Sequence, residues 1–321
     1  MEYKIIEDLK KSYGLICDKI TPVDGGYLNQ LWKVSTDIGD LLVKKYSTKR
    51  FSKRSLDLIE AALQRQIILE KNGVLCPFIW QCGGHVMRVL DEDIFFMVMD
   101  FCPGKLETPE TVTTSQMRSL GNACALMKKA FSQLPEYSVY GYPIDDEKFL
   151  DSLWDNFHSR MREDPSNVPV EYRKALVSLE PVLNRITTEF LRKLPKGIAH
   201  EDFHSSNIMF NTDSLSAIVD FDRNCYNYIS HDIGRAILSF ALNNNKLDIG
   251  KINAFIEGYS QHLKLTLSDI ADALRISWCI ETKWWIQPEF FTDNQGKAAR
   301  FRDEILWLTE HWFEIDSLLC I

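Results

Sequence analysis

Apolar and polar residues alternate through the first hundred positions with a period near two, broken once by a stretch of helical period. Residues 16–23 read as an extended segment that ends at Asp24-Gly25-Gly26. A hairpin follows: 31–35, a turn through Asp37-Ile38-Gly39-Asp40, then 41–46. Residues 55–72 carry Leu56, Ile59, Leu63 and Ile67 on one helical face and stop at Gly73, a residue suited to ending a helix. Strand character returns at 85–89 and 94–100, and Phe101-Cys102-Pro103-Gly104 breaks it. Beyond that point the spacing predicts helices over 114–134, 145–162, 171–194, 231–243, 249–262, 268–286 and 297–315. A β-rich interruption at 198–221 sets short apolar runs against clustered polar residues. The pattern predicts an α+β protein of two lobes: a small β-rich lobe over 1–100, a hinge at 101–104, and a large, mostly helical lobe over 105–321.

Composition narrows the functional classes. The chain has 321 residues, 45% hydrophobic and 26% charged, an ordinary globular balance long enough for two lobes. Its net charge of −8 opposes binding to nucleic acid, which draws on a basic surface to displace phosphate counterions. No run approaches the roughly 18 uninterrupted apolar residues of a membrane span, and the N-terminus lacks the apolar core of a signal peptide. Eight cysteines without a CxxC pair read as reduced, mostly buried thiols, and the chain as cytoplasmic. Nothing in this pattern fixes an oligomeric state.

The interruption holds the candidate chemistry: His200-Glu201-Asp202-Phe203-His204-Ser205-Ser206-Asn207, then Ile218-Val219-Asp220-Phe221-Asp222. Phosphoryl transfer needs a carboxylate to orient and deprotonate an alcohol, and oxygen ligands for magnesium. One Asp, one Asn and a second Asp in this order match a kinase catalytic loop followed by a metal-binding loop. Two histidines and three carboxylates also raise a zinc site, but no pair has H-E-x-x-H spacing and zinc leaves Asn207 unexplained.

These motifs resemble those of the aminoglycoside phosphotransferase and choline kinase superfamily, small-molecule kinases of protein-kinase-like fold. Their loop usually reads H-G-D-x-H-x-x-N; this chain carries Glu201 in place of the glycine. The resemblance implies ATP and Mg2+ as cofactors, Asp202 as catalytic base, and Asn207 and Asp220 as magnesium ligands, with Asp222 assisting a second ion. It makes His200, His204 and Asp232 loop-bracing residues. Gly25, Gly26 and Asn29 then belong to a phosphate loop, where small residues let backbone N–H groups approach phosphate. Lys44, in Val43-Lys44-Lys45, matches the lysine that contacts the α- and β-phosphates, with Glu60 its weakly matched helix partner. Adenine would meet the Asp100 carbonyl and the Cys102 N–H, with Met99 behind the base.

On the acceptor side Trp278, Glu281 and Trp285 fall on one helical face by their spacing of three and four. A carboxylate beside indoles suits an ammonium group, although tryptophan packing and solvent-facing glutamates explain the same spacing. The partner implied is a small hydroxylated molecule, cationic if that face lines the site: an aminoglycoside-, choline- or homoserine-like acceptor. A protein kinase is a second reading, but Asp220 and Asp232 lie too close for a long activation segment. A pseudokinase, acting as a binding or scaffold protein of the same fold, is the third.

Overall fold

The computed structural model describes residues 2–23, 29–91, 94–134, 144–292 and 296–320. The chain opens with α1 (Glu2–Tyr13), β1 (Cys17–Pro22), β2 (Gln30–Thr36), β3 (Gly39–Tyr46), α2 (Lys53–Lys71), β4 (Ile79–Trp80), β5 (Arg88–Leu90) and β6 (Ile94–Asp100). After a short β7 (Lys105–Leu106) come α3 (Thr114–Phe131), α4 (Asp146–Met161), α5 (Val170–Leu183), α6 (Thr188–Lys193) and β8 (Lys196–Ala199). Then follow β9 (Ile208–Phe210), β10 (Leu215–Ile218), β11 (Cys225–Tyr228), α7 (Ser230–Ala241), β12 (Leu242–Asn243) and β13 (Lys246–Leu247). The remaining helices are α8 (Ile249–Tyr259), α9 (Leu267–Trp285), α10 (Gly296–His311) and α11 (Ile315–Leu319). Two compact units result: Met1–Lys105 with Ile208–Asn211 and Leu215–Arg223, and Leu106–Asn207 with Thr212–Ser214 and Asn224–Ile321. The first unit thus takes in a segment, 208–223 less three residues, that lies far along the chain from the β-rich start.

In the first unit an antiparallel sheet runs β1-β2-β3-β6-β4, with β5 also paired to β6. Strand alternation gives it two buried faces. Val34, Leu41, Val43, Phe96 and Val98 meet Ile5 and Leu9 of α1. On the other face Tyr46, Met97 and Met99 meet Leu56, Ile59 and Leu63 of α2. Lys44 therefore projects on the α2 face, the face of Tyr46, and Lys45 on the opposite one. Ser52 caps α2 by accepting the Ser55 N–H at 3.2 Å, a bond that satisfies one of the orphan donors of the first turn.

The second unit is built around α7, which is buried along its whole length. Helices α3 and α8 cross with backbones in near contact. A Cβ on Gly121 would lie 2.0 Å from the Phe255 carbonyl oxygen, and one on Gly258 1.8 Å from that of Arg118. Gly234 of α7 makes an equally close approach to α9, 2.2 Å from the Ala273 oxygen. Gly→Ala inside an exposed helix usually gains about 1 kcal/mol. Here the obstacle is backbone, which no rotamer change relieves, so steric cost wins. Gly258→Ala is expected to destabilise the protein by about 1–3 kcal/mol or more, read as a lower urea midpoint at unchanged slope.

Sequence and structure differ in several places. The helix expected over 171–194 is two helices, because Thr187 caps a new one by accepting the Phe190 N–H. The helix expected to reach 243 ends at Ala241 and passes into a β12–β13 hairpin. Its two turn residues, Asn244 (φ 48°) and Asn245 (φ 60°), are both left-handed, as a two-residue hairpin loop demands. Cysteines are less buried than expected: only Cys124 and Cys279 are buried, Cys320 is exposed and the rest are half-buried, all as free thiols. Among the described residues, no helix is long and apolar enough to cross a membrane.

Candidate functional site

In the second unit the ribbon of β8 and β11 delivers the chain to His200, and Asp232 at the start of α7 takes hold of the loop. Its two carboxylate oxygens accept the N–H groups of His200 (2.8 Å) and Glu201 (3.1 Å). Glu201 has φ 67°, a left-handed conformation that costs an L-residue roughly 1–2 kcal/mol and explains why glycine suits the position. Here the loop holds Glu201 in place: besides Asp232, its Oε2 accepts a hydrogen bond from Asn227 Nδ2 at 2.7 Å.

Asp202 is oriented on every side. Its N–H donates to His200 Nδ1 (3.2 Å). Asn207 Nδ2 donates to both its carbonyl oxygen and its Oδ2, each at 2.9 Å. Its Oδ1 lies 3.0 Å from His204 Nε2. His204 Nδ1 accepts the Ser206 N–H (3.2 Å), which places the proton of a neutral ring on Nε2, toward Asp202. Burial lowers the His204 pKa more than the Asp202 carboxylate raises it, with Lys297 and Arg235 adding to the lowering, so the ring is neutral near pH 7. Asn207 is itself buried, and with Nδ2 engaged its Oδ1 is the acceptor end available to a cation.

The first unit carries the other carboxylates. Lys44 Nζ lies 2.7 Å from Asp220 Oδ1 and 2.6 Å from Asp222 Oδ2, and the Tyr46 hydroxyl donates to Asp222 Oδ1 at 3.0 Å. Burial opposes charge on Lys44, but the two carboxylates outweigh it and raise its pKa. Burial pushes the Asp222 carboxyl up against the pull of Lys44. Glu60 is not the partner of Lys44: it accepts the N–H groups of Val86 (3.0 Å) and Met87 (2.7 Å). Asp220, 40% exposed, has φ 65°, the second left-handed non-glycine residue of the motif.

The donor set fits magnesium. Asp220 and Asp222 together bring two negative charges against one on Lys44, all through hard oxygen atoms. Among the described residues, no three His, Cys, Asp or Glu side chains converge on a metal position. Magnesium needs no such cage, because it keeps water and phosphate oxygens and takes one or two carboxylates.

The remaining sequence-predicted residues are placed as follows. Gly25 and Gly26 lie outside the described residues. Asn29 is described, and its Oδ1 is buried with no hydrogen-bond partner among the described residues. Met99 is buried on the α2 face of β6, opposite Leu42 and Ile79. Asp100 donates its N–H to the Phe78 carbonyl and accepts from Trp80 Nε1 at 2.8 Å. Cys102 is half-buried, and burial followed by the charge of Asp100 pushes its thiol up to about 11, so it is an unreactive thiol at neutral pH.

The acceptor face read from helical spacing is corrected. Trp278 is fully buried, with its Nε1 donating to Thr309 Oγ1 at 2.8 Å, and is a packing residue. Glu281 is already neutralised. Burial opposes its ionisation, but the neighbouring His231 and the charge of Arg235 hold its carboxyl down at about 2. His231 Nε2 lies 3.2 Å away, with its pKa raised by Glu281 and Glu201 over the opposing effect of burial. Trp285 also donates to Glu281 and packs its ring 4.7 Å from that of Phe301. A cationic acceptor thus loses the carboxylate expected to hold it.

A second set of cations lies on α7 and α10. Arg235 NH1 bonds Glu304 Oε2 at 2.8 Å and its guanidinium lies 4.4 Å from the Phe301 ring centre. Lys297 Nζ is 3.0 Å from His204 Nε2. Arg300 bonds Glu304 Oε1 and Ser205 Oγ, each at 3.0 Å. These residues lie about 30 to 95 positions from the loop they support, where no local spacing announces them.

The model of the phosphotransferase enzyme family (APH) matches residues 19–267. Homoserine kinase of Sinorhizobium fredii is 28% identical over 211 residues, covering 63% of this chain and 59% of that protein. Homoserine kinase of Allorhizobium ampelinum is 25% identical over 254 residues, 77% of this chain and 72% of that one. The chain spans only about 59% of the length of the Sinorhizobium relative. Among solved structures, amicoumacin kinase in complex with AMP-PNP and Ca2+ is similar over 98% of this chain and 95% of its own, with TM-score 0.64 at 15% identity. Spectinomycin phosphotransferase in complex with ADP and spectinomycin gives 0.64 at 12%, covering 99% and 97%. Choline kinase of Cryptosporidium parvum gives 0.62 at 13%, covering 99% and 98%. The fold is accordingly that of the protein-kinase-like small-molecule kinases, with a small β-rich lobe and a large, mostly helical one. With the family pattern matched from β1 to the first residue of α9, the chain belongs to the phosphotransferase enzyme family.

Proposed function

We propose that the protein transfers the γ-phosphoryl group of ATP to a hydroxyl of a small molecule. The observation that carries this reading is the fixed carboxylate of Asp202, with Oδ1 facing a neutral His204 and Oδ2 bonded by Asn207. An acceptor hydroxyl bonded to that carboxylate has its lone pair aimed at phosphorus. As the oxygen–phosphorus bond forms, the bond from the γ-phosphorus to the β,γ-bridging oxygen breaks, ADP departs, and the hydroxyl proton passes to Asp202. Lys44 pairs with nucleotide phosphate oxygens, while Asp220, Asp222 and Asn207 are the residues that would hold Mg2+. Magnesium bound there would neutralise charge on the phosphoryl oxygens. Gly25, Gly26 and Asn29 form the phosphate loop in this reading, and Met99, Asp100 and Cys102 the adenine side. AMP-PNP with Ca2+ and ADP in the similar structures support nucleotide and divalent-cation use. Homoserine kinase relatives support a small acceptor.

A second reading, a nucleotide-binding protein without transfer, draws on Glu60, whose carboxylate is committed to backbone N–H groups instead of Lys44. ADP release measured with ATP, Mg2+ and a panel of homoserine, choline and aminoglycosides separates the two. At least one acceptor is expected to raise ADP release above the acceptor-free rate and to gain a phosphorus resonance. Saturable ATP binding without stimulation by any acceptor favours the binding protein.

A further inference from the structure

Glu201 is the position at which this chain departs from the usual loop pattern, and its backbone (φ 67°) is one that glycine adopts readily and glutamate does not. The strain is offset only if the side chain gains contacts that glycine cannot make. Its Oε2 accepts from Asn227 Nδ2 of β11 at 2.7 Å. Its negative charge also acts on His231, the second residue of α7, which is buried.

The surroundings of His231 call for two ring protons. Ser277 Oγ donates to the His231 carbonyl oxygen at 3.3 Å, so it presents a lone pair to Nδ1, 3.2 Å away. On the other side Nε2 lies 3.2 Å from Glu281 Oε1. A ring with an acceptor at each nitrogen is an imidazolium. The facing charges agree. Burial lowers the His231 pKa, but Glu281 of α9, Glu201 of the loop and Asp232 of α7 together raise it above the ordinary histidine value. Arg235 of α7 is the cation that shares Glu281 Oε1 with the ring, at 3.9 Å.

From Glu281 the alternation of sign continues. Arg235 NH1 donates to Glu304 Oε2, Glu304 Oε1 accepts from Arg300, and Arg300 NH1 donates to Ser205 Oγ. Glu201, Glu281 and Glu304 thus stand against His231, Arg235 and Arg300, and the signs balance only with His231 protonated. Asp232, which also acts on the ring, is set against buried Lys128. The chain of charges begins and ends on the loop that carries Asp202, at Glu201 and at Ser205.

We propose that Glu201 is a positioning residue: acting through protonated His231, it completes a buried chain of alternating charges that clamps both ends of the Asp202 loop. This rests on the phosphotransferase reading, for which it holds Asp202 in place. Loss of the His231 proton leaves Glu201 and Glu281 as like charges on either side of a neutral ring, and the Glu201 end of the loop is released.

The experiment reads the ring, the loop and the turnover separately. Imidazole nitrogen NMR follows each histidine with pH, and His231→Gln identifies the His231 resonances. Wild-type His231 is expected to be doubly protonated at neutral pH and to titrate above the ordinary histidine range. Glu201→Gln keeps an acceptor for Asn227 without the charge, and Glu201→Gly also relieves the left-handed backbone, so both should fold, as melting curves check. In both, the His231 titration should drop by about one pH unit or more, and Glu201→Asp should restore it in part. Protection of the His200 and Asp202 N–H groups against exchange reads the loop. It should fall as wild-type His231 loses its proton and show no such step in Glu201→Gln. Likewise kcat should have the same alkaline limb in wild type and Glu201→Asp and lack it in Glu201→Gln. KM for ATP should stay unchanged, since the residues proposed to meet the nucleotide are Lys44, Asp220 and Asp222. A neutral ring in the wild type at neutral pH, a titration that ignores Glu201, or an alkaline limb that survives in Glu201→Gln overturns the proposal. If no acceptor is turned over, the transfer reading fails, and the titration with the exchange data still decides whether Glu201 clamps the loop.

Discussion

With Asp202 as the proposed base, Asp202→Ala is expected to lower the rate of phosphoryl transfer by about 10²–10⁴-fold, the usual contribution of a positioned general base, and to leave ATP affinity close to wild type. The separation follows from the roles proposed for the two sets of groups. Asp202 is bonded by His200, His204 and Asn207, all in one loop, whereas the cation and carboxylates expected to meet the nucleotide are Lys44, Asp220 and Asp222 in the other unit. Alanine also strips a hydrogen-bond acceptor from buried His204 and from Asn207, which costs about 1–3 kcal/mol for a polar group left unsatisfied. Loss of fold must therefore be separated from loss of chemistry. Asp202→Asn keeps the volume and one acceptor oxygen but cannot take the proton, so it should remain folded and equally inactive. The measurement is kcat at saturating ATP and acceptor, with calorimetric ATP affinity and a melting curve for each variant. Near-full turnover in a folded Asp202→Asn protein would move the base elsewhere.

The legible parts of this protein are those where chemistry and local period coincide. The β2–β3 hairpin and α2 appear in the sequence because their apolar spacing and their stops, at the Asp37–Asp40 turn and at Gly73, agree. The residues proposed for base and metal, Asp202, Asn207, Asp220 and Asp222, stand out in the sequence because they come from two short polar clusters between apolar runs. Periodicity fails where it must choose between two buried faces. Trp278, Glu281 and Trp285 do share a helix face, but Trp278 points into the core and Glu281 is consumed by Arg235 and His231. The same limit hides the partner of Lys44. The sequence offers a helix carboxylate, while the fold supplies two from a loop 176 and 178 positions along the chain, with Tyr46 beside them. The partners of Arg300, namely Ser205, Ser239 and Glu304, are likewise collected only by folding.

Asp220→Asn should abolish the magnesium dependence of ATP binding and reduce turnover along with it, unlike any change at Asp202. Lys44, Asp220 and Asp222 together carry one net negative charge, and that excess is what a divalent cation would meet. Asparagine removes it, leaving Lys44 and Asp222 as a balanced pair that offers little to a second cation. The substitution isolates charge cleanly for a conformational reason. Position 220 has φ 65°, a region that asparagine tolerates at least as well as aspartate, so the backbone need not move. Folding stability should not fall either, because Asp222, whose burial pushes its carboxyl up, gains sole use of Lys44 once the competing carboxylate is gone. A melting temperature equal to or above that of wild type is expected. ATP titrations with and without magnesium provide the decisive comparison, since wild-type affinity should depend on the ion and the variant's should not. If Asp220→Asn retains the wild-type response to magnesium, the metal is held by other groups and Asp220 serves only to neutralise Lys44.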